Sequence, residues 1–249
     1  MRSYKLAKYN VKSSLKPIMI YYSIIITITI SIAIMSKSSG GGIEAHGIEI
    51  SSVIFLFVLG LNSFKENFYF AEANNISRVD YFKAIAKAIM PIGLAMSVMD
   101  VIINRVDNLF VVNTTLYDMS YNNIFQGPLN TDGWVQSNSI QTLFGTVTFL
   151  FAFYIAAFSI GLLITLIYYN CNKTMIILVS LSPIAVMAIY ARLAFNDPMF
   201  GQKVAEFIDN ILGISTKNSY TAVLTFICLF LIAMGFVYLL VRKAVVKRD

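Results

Sequence analysis

Apolar positions in this chain come in long blocks and not in an alternating stripe. Six blocks read as bilayer crossings: residues 18–36, 50–64, 81–103, 140–167, 175–191 and 220–241. A crossing helix uses about 20 mainly apolar residues. The first block carries the run IIITITISIAI, which in water would favour a strand because β-branched side chains suit a pleated surface. In lipid a lone segment must satisfy its own backbone groups, and a helix does so. The expected fold is all-α and integral to a membrane, with six transmembrane helices in one domain over 1–249.

Two amphipathic stretches complete the pattern. Residues 1–17 interleave Leu6, Tyr9, Val11 and Leu15 with lysines and end at Pro17. They predict a helix on the inner surface, held by its apolar face and by anionic lipid; the alternative is a frayed basic tail. The apolar block that follows is longer than the 7–15 residues of a leader core, so a retained anchor is expected. Between spans 5 and 6, residues 196–215 offer Asp197 as cap, Pro198 in the first turn, and Phe200, Val204, Phe207, Ile208, Ile211 and Leu212 at helical spacing. The segment is too short and too polar to cross, which predicts an outer interfacial or re-entrant helix.

Composition narrows the class. Of 249 residues, 57% are hydrophobic and 13% charged, and the mean hydropathy is +0.71. Soluble domains carry about 25% charged residues, so disorder, a nucleic-acid-binding domain and an ordinary water-soluble enzyme are excluded as first readings. The net charge of +6 comes from cations that flank apolar blocks instead of lining one face, which argues against a nucleic-acid partner. Fourteen of the nineteen Lys and Arg lie on the side of the two termini and the loops after spans 2 and 4. The positive-inside rule then puts both termini in the cytoplasm.

Reactive chemistry is sparse. Cys171 and Cys228 make no disulfide framework, and the single His46 builds no metal cluster. No span carries a His or a pair of Asp, as an intramembrane hydrolase would require. No G-x-x-x-x-G-K-[ST] pattern is present, and Gly40-Gly41-Gly42 lack the Lys that would follow. Asp100, Asn104 and Arg105 lie near the outer end of span 3. A charge within a membrane is a functional candidate, although Arg105 can also snorkel to water.

Small and hydroxylated residues form two stripes: Ser23, Thr27 and Ser31 on span 1, and Ala152, Ala156 and Gly161, beside Ala157, on span 4. Such faces bring membrane helices together. They suit a translocation path or a dimer seam, or packing within the bundle. Met90, Met96 and Met99 would make a compliant apolar surface, and Pro91 and Pro183 suggest kinks.

The sharpest local signal is the loop after span 2, FKENFYFAEANNISRVDYFK from Phe64. Phe64, Phe68 and Ala71 share a helical face, Asn74 and Asn75 suit a helix end, and Ser77-Arg78-Val79-Asp80 fits a capping box. A short helix, a tight turn and a capped span are expected in that order. This short helix, followed by Asn-Asn-Ile-Ser-Arg and the aromatic pair Tyr81 and Phe82, resembles the Asn-Gly-x-Ser-Arg stretch of ABC-2 type permease subunits, many of them from Gram-positive bacteria. The departure is Asn75 where Gly is usual, and Asn also tolerates positive φ.

The resemblance implies a transport subunit and not an enzyme. It makes residues 64–73 a coupling helix seated in a separate ABC ATPase, with Glu66, Phe68, Phe70, Glu72, Asn74, Asn75, Ser77 and Arg78 as contacts. It implies two ATPase copies and a second permease chain, identical or similar, in a bacterial plasma membrane. The chain would bind no cofactor, since ATP and Mg²⁺ belong to the partner. A looser likeness to exporters of phenol-soluble modulins and other antimicrobial peptides suggests an amphipathic peptide or lipid-like cargo. The alternative function is a stand-alone membrane immunity or binding protein without an ATPase.

Overall fold

The computed structural model describes residues 2–38, 45–121 and 136–244. Gly40–Gly42, Glu44, Asp132, Lys247 and Arg248, used above for motif and charge, lie outside the described residues. In chain order the elements are α1 (Arg2–Ser38), β1 (Ala45–His46), α2 (Glu49–Asn62), α3 (Lys65–Ala73), α4 (Arg78–Asp107), β2 (Asn113–Thr114), α5 (Leu116–Tyr121), α6 (Ile140–Asn170), α7 (Lys173–Asn196), α8 (Pro198–Leu212) and α9 (Ser219–Lys243). The fold is all-α apart from the two short strands, which pair in parallel, Ala45 with Asn113 and His46 with Thr114.

Five helices are long and apolar enough to cross a membrane: α1, α4, α6, α7 and α9. The second expected span is shorter. α2 has 14 residues, about 21 Å at 1.5 Å per residue, against a hydrocarbon core of about 30 Å. Its start lies level with the middle of α1, and its end lies beside α3. Tyr21 of α1 hydrogen-bonds Ser51 and Ser52 near the start of α2, at the level where Tyr22 meets Asp100. Phe64, just past its end, packs on Tyr81 and Tyr169.

Pro17 does not divide the chain as expected: α1 runs through it as one 37-residue helix. Proline removes one i→i−4 bond, here to the carbonyl of Ser13. Both residues are exposed, so water can take the freed acceptor. The amino-terminal third of α1 is consequently fixed to the bundle, with Leu6 and Ala7 buried.

α6 is the central post, packed on α2, α4 and α9, while α1 lies along α4. α6 is close to apolar all round and is buried along most of its length, as such a helix must be. Its crossing with α2 is made by glycines: a Cβ on Gly60 would overlap the Phe158 carbonyl, and one on Gly161 the Phe57 carbonyl. α7 has no buried residue. α8 follows as expected: Asp197 caps it by accepting from the Met199 amide at 3.0 Å, and Gly213, at φ +64°, ends it. Thr225 of α9 donates to the Ile211 carbonyl at 2.9 Å and holds the end of α8.

Candidate functional site

One end of the bundle gathers the start of α1, all of α3, the first turn of α4, and the last turns of α6 and α9. α3 is held there by aromatic packing. Phe64 and Phe68 are 0% and 1% exposed. Their rings stack at 5.0 Å, and Tyr81 of α4 and Tyr169 of α6 meet them edge-on. Edge-to-face and offset arrangements are the favoured ones for ring quadrupoles. The Tyr81 hydroxyl also donates to the Phe64 carbonyl at 3.2 Å. α3 is thereby clamped to two long helices at once.

The turn after α3 closes as a Schellman motif. The Ile76 amide donates to the Ala71 carbonyl at 2.9 Å and the Asn75 amide to Glu72 at 3.0 Å, with Asn75 at φ +52°. Ser77 then caps α4: its Oγ accepts from the Asp80 amide at 3.1 Å, and its hydroxyl donates to the Asp80 carboxylate at 3.0 Å. Arg78 pairs with Glu72 at 3.5 Å and donates to the Arg242 carbonyl of α9 at 2.7 Å. Tyr9 of α1 stacks on Phe70 at 4.6 Å and 10°. Beside this stack is a groove of about 340 Å³ lined by Lys5, Leu6, Tyr9, Phe70, Asn74 and Ile76.

The eight residues expected to contact a partner therefore divide. Glu66, Phe70, Asn74, Asn75 and Ser77 are exposed. Glu72 and Arg78 are half-buried and tie α3 to α4 and α9. Phe68 is corrected: it faces inward, because Phe64, Phe68 and Ala71 form the apolar stripe that docks α3 on the bundle. The participation of Tyr9 and Lys5 was missed, since nothing local in the sequence brings residue 9 to residue 70.

The small-residue stripes also divide. Ala152, Ala156 and Gly161 are buried, and as a seam for a second chain they are corrected: packing within the bundle consumes them. Ser23, Thr27 and Ser31 remain exposed, each hydroxyl donating to the carbonyl four residues earlier at 2.8 Å.

Toward the other end of the bundle lies a buried polar cluster. Asp100 accepts from Tyr22 of α1 at 3.0 Å and from Tyr154 of α6. Tyr22 also lies 3.1 Å from the Met96 carbonyl. Glu49, at the head of α2, is 3% exposed, and among the described residues no hydrogen bond of normal geometry reaches its carboxyl oxygens. Asn104 donates to the Asn113 carbonyl at 2.9 Å, and His46 Nδ1 lies 2.8 Å from the Thr114 hydroxyl. An intramembrane charge flags Asp100 from sequence alone, but its tyrosine partners, 78 and 54 residues away, carry no local signal. Cys171 and Cys228 are free. Among the described residues no group of three or more His, Cys, Asp or Glu is arranged to hold a metal ion.

The fold and this site define a helical membrane protein with a rigidly mounted short helix at one end. No protein family, no curated protein and no solved structure matches the chain.

Proposed function

We propose that this chain is the membrane-spanning subunit of an ATP-driven ABC exporter, forming half of a translocation path. α2 completes six crossings, both termini are cytoplasmic, and the membrane is a bacterial plasma membrane. α3 is the handle through which a separate ATPase, present in two copies, moves the spans. ATP and Mg²⁺ stay on that partner, and a second permease chain supplies the other half of the path. An amphipathic peptide or lipid-like cargo suits spans with so few fixed charges.

One observation carries the reading. α3 is locked by Phe64 and Phe68 to Tyr81 and Tyr169, yet it leaves Glu66, Phe70 and Asn74 exposed beside a groove. A push on α3 must then move α4 and α6, because packed interiors transmit displacement. Purification of the full chain from its native membrane in mild detergent tests this. An ABC ATPase is expected to remain bound, and to be lost in the Glu66→Lys/Phe70→Ala double variant. A chain that purifies intact with no nucleotide-hydrolysing partner overturns the proposal.

A further inference from the structure

α1 and α4 run side by side in the same direction: Tyr22 meets Met96 and Asp100, and higher up Thr29 and Asp107 line one cleft. They do not close against each other on their outer side. An open groove of about 430 Å³ runs between them, lined by Leu15, Met19 and Tyr22 of α1 and Pro91, Met96 and Met99 of α4, among others. Its lining on α1 extends from Val11 to Ile26, about 22 Å of helix at 1.5 Å per residue. That exceeds the roughly 15 Å that one leaflet of a ~30 Å core supplies. The slot is lined mainly by apolar side chains, and its methionines adapt to a flexible hydrocarbon chain.

The charge lies at one end only. Helical periodicity puts Lys8 and Lys12 on the groove-facing side of α1, three residues before Val11 and Leu15, and Lys87 one turn before Pro91 on α4. All three lysines are exposed, and among the described residues none has an acidic partner. They stand at the end of the bundle that carries α3, on the side that the cation distribution assigns to the cytoplasmic leaflet, where anionic headgroups attract basic residues. We propose that the α1–α4 groove is a binding site for an anionic phospholipid, its acyl chain in the slot and its phosphate gathered by Lys8, Lys12 and Lys87. This does not depend on the ATPase partner and holds or fails separately.

The test uses the full chain reconstituted in nanodiscs that contain equal parts phosphatidylglycerol and phosphatidylcholine. Native mass spectrometry then reads the lipid retained after release. Phosphatidylglycerol is expected to be retained preferentially. Each lysine-to-glutamine change should lower that preference about fivefold, the effect of ~1 kcal/mol per basic residue near an anionic surface. Ala95→Trp, which fills the groove and keeps every lysine, should abolish retention. A photoreactive phosphatidylglycerol carrying its probe in the acyl chain should label Met96 or Met99 of the unaltered chain, a readout independent of variant folding. Equal retention of the two lipids, unchanged retention after Lys8, Lys12 and Lys87 are all replaced, or cross-linking of Ala95→Cys to a second copy or to a bound peptide would each overturn the proposal.

Discussion

Gly60 of α2 and Gly161 of α6 meet at one crossing, and each lies against the other helix's backbone, Gly60 on the Phe158 carbonyl and Gly161 on the Phe57 carbonyl. Without side chains there, a short α2 packs on the central post closely enough for the Thr165 hydroxyl to donate to the Leu61 carbonyl at 2.6 Å. Gly60→Ala or Gly161→Ala should each force the helices apart and cost about 1–3 kcal/mol, the usual penalty for overpacking. The double variant should cost less than the sum, since the first substitution already opens the crossing. Thermal unfolding in detergent measures this, and unchanged melting in both single variants would contradict it.

The Asp100 cluster gives an ordered series. Tyr154 donates to Asp100, whereas Tyr22 lies within reach of both Asp100 and the Met96 carbonyl. Removing one donor to a buried charged group costs about 1.5–3 kcal/mol. Tyr154→Phe should therefore destabilise more than Tyr22→Phe. Asp100→Ala, which orphans the Tyr154 hydroxyl and leaves Tyr22 only the Met96 carbonyl, should lower the melting temperature further than either. Equal and negligible effects would show that the cluster is not formed in the membrane.

Tyr121 should titrate late. It is 7% exposed and donates to the Leu212 carbonyl at 2.7 Å, joining α5 to the end of α8. Burial, with the neighbouring Tyr117 second, pushes its phenol up to about 12 from 10. The folded chain holds this proton more tightly than the unfolded one, so the associated stability is complete below pH 10 and is lost as pH rises toward 12. Difference absorbance against Tyr121→Phe should show one phenol missing from the late part of the titration. A phenol missing near pH 10 would be the contrary result.

Phe68 and Phe70 lie on one short helix and should behave oppositely. Phe68→Ala empties the aromatic clamp and should cost about 3–5 kcal/mol of stability. Phe70→Ala removes an exposed stack on Tyr9 and should cost only ~0.5–1.5 kcal/mol, while impairing the coupling proposed for α3. Melting temperatures and partner ATPase rates, measured side by side, separate the two. A larger stability loss for Phe70→Ala than for Phe68→Ala would reverse the assignment of faces.

The readable parts of the fold were those written in neighbouring residues. The Ser77 cap, the positive φ of Asn75 and the Asp197–Pro198 start of α8 each follow from two to five adjacent positions, and the apolar blocks locate the long helices by length alone. The parts that could not be read depend on distance along the chain. The pairing of Ala45 with Asn113 involves strands of two residues, too short for any periodicity. The stack of Tyr9 on Phe70 and the tyrosines around Asp100 join helices that only the fold brings together. Pro17 misleads because its local rule predicts a break, whereas the helix continues through it at a position where both Ser13 and Pro17 are exposed. Phe68 could have been assigned inward from its own spacing with Phe64 and Ala71. The resemblance names it as a contact, whereas that stripe docks α3 on the bundle.

Site-directed cross-linking from α3 tests the central claim most directly. With Cys171→Ser and Cys228→Ser as background, a cysteine placed at Glu66, Phe70 or Asn74 is probed with a short bifunctional reagent in native membranes. The account predicts a cross-link from these exposed positions to an ABC ATPase, stronger or weaker as ATP is added, and none from Phe68→Cys. Cross-links from none of the three exposed positions, in membranes where the chain is intact, would contradict it.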